Sequence, residues 1–109
     1  MKYALLLSAL MVLPAHAEFQ SGNTLLAALQ ETDYFSKGYA MGYIVGVADT
    51  TQGITQCMAP SATAKQAQDI VLQFLLANPA IRNKTADLLV QSALKQVWPC
   101  PVKPKGSSI

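Results

Sequence analysis

The sequence predicts a small all-α domain of four to five helices, fastened by one disulfide and preceded by a cleaved signal peptide. Three observations carry that expectation. After Gln20 the apolar residues recur three and four apart, and nowhere do they alternate as a half-buried strand would. The segments they mark are punctuated by capping residues and prolines. The chain has only two cysteines, Cys57 and Cys100.

The first segment is a leader. Lys2 supplies a positive start, Tyr3–Leu13 form an apolar run broken only by Ser8, and Pro14 ends it. Ala15-His16-Ala17 then offers the small-x-small pattern of a signal-peptidase site, with cleavage expected between Ala17 and Glu18. The apolar run is well short of the ~20 residues that a membrane-spanning helix needs. No later segment is apolar enough to stop transfer, and no cysteine follows the cleavage site to take a lipid. The expected organisation is a signal peptide over 1–17, a helical domain over 18–101 and a C-terminal tail over 102–109. No membrane insertion is expected after cleavage. The 51% apolar content is inflated by the leader, so the remaining chain is ordinary in composition. The 8 Lys and Arg exceed the 6 Asp and Glu by two, and Lys2 leaves with the leader. Nothing resembles the basic stripe of a nucleic-acid binder.

Within the domain, Ser21 or Asn23 is placed to cap a short first helix carrying Leu25, Leu26 and Leu29. Glu31-Thr32-Asp33 is a polar interruption of solvated charges. A second helix runs from Tyr34 to about Thr51, with Gly53 as its C-terminal stop. Gln52–Ser61 connects it to a third helix, whose start is marked by Thr63 and, three residues on, Gln66: a capping box. That helix presents Ala67, Ile70, Val71, Phe74 and Leu75 on one face. It stops before Asn78-Pro79, because the residue before proline is pushed out of the helical region. A further turn over Ala80–Asn83 precedes a last helix capped by Thr85, with Leu88, Leu89, Ala93 and Val97 as its apolar stripe and Leu94 beside them. Trp98-Pro99-Cys100-Pro101 ends it.

Export leads to an oxidising space, where an even cysteine count reads as a disulfide. Two cysteines allow one pairing, Cys57–Cys100. Closing a loop of roughly 44 residues is worth about 4 kcal/mol on chain-entropy grounds. A metal or catalytic role for the pair is disfavoured by the long spacing and by the loss of the sole histidine, His16, with the leader.

The second helix is the unusual element. Gly38, Gly42 and Gly46 recur every fourth residue and so line one stripe, although each costs about 1 kcal/mol relative to alanine inside a helix. A stripe without side chains lets another backbone approach closely. It is expected either to pack a helix of the same domain, with Phe35, Tyr39 and Tyr43 beside it in the core, or to form a homodimer seam or partner face. Asp49, in the last turn, is unfavourable to the helix dipole. It is either simply solvated or bonded to a loop N–H or a partner's cation.

The chemistry of catalysis is missing. Without histidine there is no usual base for a nucleophile and no common metal ligand. The glycines lie inside a helix and not in a phosphate-binding loop. The carboxylates are scattered, and none sits in an apolar setting that would suit it to acid catalysis. No enzyme activity, metal or cofactor is therefore expected, and a small binding protein is.

Five segments carry a resemblance. Ser21-Gly22-Asn23-Thr24-Leu25-Leu26, Gly38-Tyr39 with Gly42-Tyr43-Ile44-Val45-Gly46-Val47-Ala48-Asp49, Cys57-Met58-Ala59-Pro60, the Asn78-Pro79 break, and Trp98-Pro99-Cys100-Pro101 resemble, in that order, the Rap/Tai immunity proteins of type VI secretion systems. The likeness spans Ser21 to Pro101. It implies a helical periplasmic protein, often dimeric, that binds and blocks a cell-wall amidase toxin delivered by neighbouring cells. The family commonly has two further cysteines, at positions held here by Leu29 or its neighbour and by Ser36. Their joint absence leaves the first helix tied to the second by packing alone.

The leading expectation is thus a periplasmic immunity protein whose partner is a secreted peptidoglycan amidase, with the stretch around Asp49–Met58 as the element inserted into it. The alternatives are a periplasmic acid-stress chaperone, against which the absence of histidine and the few acids count, and a small-ligand or lipid carrier, which would need an apolar cavity.

Overall fold

The computed structural model describes residues 19–102; the expected signal peptide, its cleavage site at Ala17 and Glu18, and the tail beyond Val102 lie outside the described residues. Four α-helices follow one another: α1 (Gly22–Gln30), α2 (Tyr34–Thr51), α3 (Ala64–Ala77) and α4 (Ala86–Val97). A 3-10 turn, Pro79–Ile81, joins the last two. Among the described residues there are no strands, only two isolated bridges, and no helix is long and apolar enough to cross a membrane.

The helix boundaries have local chemical causes. The Ser21 hydroxyl accepts from the Thr24 N–H at 3.1 Å and starts α1. The Asp33 carboxylate accepts from the Ser36 N–H at 2.9 Å and starts α2, so this residue is a cap and not merely a solvated charge of the connection. Thr63 and Gln66 form the expected reciprocal capping box, at 3.1 and 2.9 Å. Thr85 occupies the cap position of α4 but makes no side-chain cap bond. Its backbone instead bridges to Ser21, an arrangement that joins the start of α4 to the start of α1.

Each helix touches the other three, around one core. Leu25, Ile44, Val71, Leu75, Val90 and Leu94 are its largest fully buried apolar side chains, each worth about 1.5–3 kcal/mol of burial. The apolar stripe of α4 is turned from the expected one. Leu89, Val90, Ala93 and Leu94 are buried, whereas Leu88 and Val97 are exposed. Both arrangements keep helical spacing, and packing against α2 and α3 selects between them.

The face of α2 that enters the core is Ala40, Ile44 and Ala48. The glycines therefore do not pack a helix of the same domain. Gly38, Gly42 and Gly46 are exposed, and a Cβ added at any of them would meet nothing within 4 Å. Nor are all the aromatics core residues. Phe35 is 83% exposed and Tyr39 44%, while Tyr43 is partly buried and rests on the core.

α1 is held at its N-terminus by backbone bonds to the segment before α4. Gly22 N–H donates to the Lys84 carbonyl at 2.9 Å, Asn23 N–H to the Arg82 carbonyl at 2.8 Å, and Ala86 N–H to the Gln20 carbonyl at 2.6 Å. These bonds satisfy N–H groups that a helix start otherwise leaves without partners.

Candidate functional site

The end of α2 and the turn that follows form the most heavily braced part of the surface. A helix C-terminus leaves its last carbonyls without internal partners. Here the Thr51 hydroxyl donates to the Val47 carbonyl at 2.7 Å. The fully buried Gln56 folds back beneath the turn, its amide donating to the Ala48 carbonyl at 3.2 Å and to the Thr51 hydroxyl at 2.8 Å. Its amide oxygen accepts from the Thr55 hydroxyl at 2.6 Å. Gly53 takes a φ of 80°, a conformation that glycine adopts without strain, and its N–H donates to the Gln56 carbonyl at 2.7 Å.

A second set of bonds ties the turn to its surroundings. The Gln52 amide donates to the Met58 carbonyl at 3.2 Å and accepts from the Met58 N–H at 3.1 Å. Cys57 N–H donates to the Trp98 carbonyl at 2.8 Å. The disulfide joins Cys57 to Cys100, with α-carbons 4.7 Å apart. At the tip of this frame stands Ile54, 76% exposed.

Asp49 lies one turn before the frame and is exposed. It lines an open cleft of about 160 Å³ with Val45, Met58, Thr63 and Ala64. The beginning of α3 thus forms another wall of this cleft. Among the described residues Asp49 forms no ion pair, and the one such pair is Lys65–Asp69 at 2.7 Å, on the solvent side of α3.

The second distinctive surface is the outer face of α2. Phe35, Gly38, Tyr39, Gly42 and Gly46 lie along it, with Tyr34, 94% exposed, at its start. Tyr39 and Tyr43 stack in a tilted arrangement with ring centroids 6.5 Å apart. Burial, with the nearby charge of Asp87 and then Tyr39 adding to it, raises the Tyr43 pKa above the ordinary tyrosine value. At the start of α2, hydrogen bonds from Ser36, with a smaller contribution from the charge of Lys37, hold the Asp33 carboxyl below its usual value.

Two larger clefts, about 420 Å³ between α3 and α4 and about 540 Å³ where α1, α2 and α3 meet, are open grooves. Among the described residues no group of three or more His, Cys, Asp or Glu side chains is placed to hold a metal.

Of the residues singled out in the sequence, Cys57 and Cys100 are brought together, and Asp49 falls beside the turn they anchor. Gly38, Gly42 and Gly46 lie in line along the outer face of α2, and Asp49, one turn after Gly46, continues that stripe. Gln56 and Ile54 fall inside the Asp49–Met58 stretch expected to enter the partner, but nothing in the sequence marks either residue individually. A glutamine in a polar connection gives no sign that it will be the buried strut of a turn. The glycine at residue 53, just past the helix, was the one available pointer to a tight structure there.

No curated protein matches the chain. Residues 21–100 match the family model described as Rap1a immunity proteins. The match begins at the cap of α1 and ends at the second half-cystine, so it takes in all four helices, the braced turn and the glycine face. The chain belongs to the Rap1a immunity protein family.

Proposed function

We propose that this protein is a periplasmic immunity protein that binds a peptidoglycan amidase delivered by a type VI secretion system and blocks its active site. The family match across residues 21–100 is the observation that carries the reading. A disulfide within a small helical domain suits an oxidising compartment, as does a leader over Met1–Ala17. Protection on this reading comes from occupation of the toxin's cleft, with no catalysis by the immunity protein and no cofactor.

The protein also acts as a homodimer on this reading, with the outer face of α2 as the seam. A two-fold interface must be complementary to itself. Gly38, Gly42 and Gly46 give a groove, and Phe35 and Tyr39 give a ridge on the same helix, so one surface supplies both halves. Asp49 is the polar contact to a cation of the partner.

The test is a deletion of the gene followed by competition against the parent strain. The deletion strain is expected to be killed on contact, and to be rescued by the intact gene or by inactivating the attacker's amidase. Equal survival of the deletion strain and the parent would overturn the reading.

A further inference from the structure

We draw no further inference here: the strongest candidate, the open apolar groove between α3 and α4 lined by Ile70, Phe74, Ala93 and Val97, carries nothing because nothing in the structure shows what covers it.

Discussion

The backbone of Gly22 lies against that of Arg82. A Cβ added at residue 22 would stand 2.7 Å from the Arg82 carbonyl oxygen and would run into the Leu89 side chain as well. The opposing oxygen belongs to the main chain, which cannot move aside without giving up the bonds from Gly22 and Asn23 to Lys84 and Arg82. Gly22→Ala is therefore expected to destabilise the domain by roughly 1–3 kcal/mol. Urea denaturation followed by circular dichroism checks this, and an unchanged midpoint would contradict it.

The opposite sign is expected on the outer face of α2. Gly38 and Gly42 sit inside a helix with open space where a methyl group would go. Gly38→Ala and Gly42→Ala should each stabilise the isolated domain by roughly 0.5–1 kcal/mol. If α2 forms the dimer seam, the same substitutions weaken self-association, since each methyl fills the groove that the partner helix enters. Melting temperature and sedimentation read the two effects separately.

Opening the disulfide removes a constraint across a sequence separation of 43 residues. The paired substitution Cys57→Ser with Cys100→Ser should cost about 4 kcal/mol, most of it through the greater freedom of the unfolded chain. Far-ultraviolet circular dichroism of the folded variant should be nearly unchanged, while its denaturation midpoint falls well below that of the oxidised protein.

The cap on α2 gives a pH dependence with a definite sign. The folded-state pKa of Asp33 is lowered, chiefly by its hydrogen bond from the Ser36 N–H. A lowered carboxyl pKa contributes stability that is fully present above the unfolded value and is lost as pH falls through the folded one. Asp33→Ala should melt below wild type at neutral pH, and the gap should narrow as pH drops from about 5 towards 2. A gap that stays constant over this range would assign the effect to something other than the ionised cap.

The helices were legible because their signals are local. Thr63 with Gln66, Asn78 before Pro79, and Gly53 past the end of α2 each act within a turn of where they stand. The disulfide followed from the cysteine count. The buried face of α2 was not legible. Its apolar residues surround the helix, so periodicity offers no single stripe, and large aromatics looked better suited to a core than alanines do. The structure buries Ala40, Ile44 and Ala48 and leaves Phe35 exposed. The roles of Gly22 and Gln56 were silent for another reason. Gly22 is defined by a partner some sixty residues away, and Gln56 by its return onto a helix that has already ended, and neither relationship leaves a pattern in nearby sequence.

The covalent link encloses α3 and α4 and leaves α1 and α2 outside it. Of these two, α1 is the shorter, and its N-terminal anchorage consists of a few main-chain bonds at Gln20–Asn23. The domain thus has unequal parts, a covalently closed ring and a short helix outside it that is held by main-chain bonds and by Leu25, Leu26 and Leu29 in the core. In amide hydrogen exchange, α1 would be the first cooperative unit to lose protection, well before the helices within the ring.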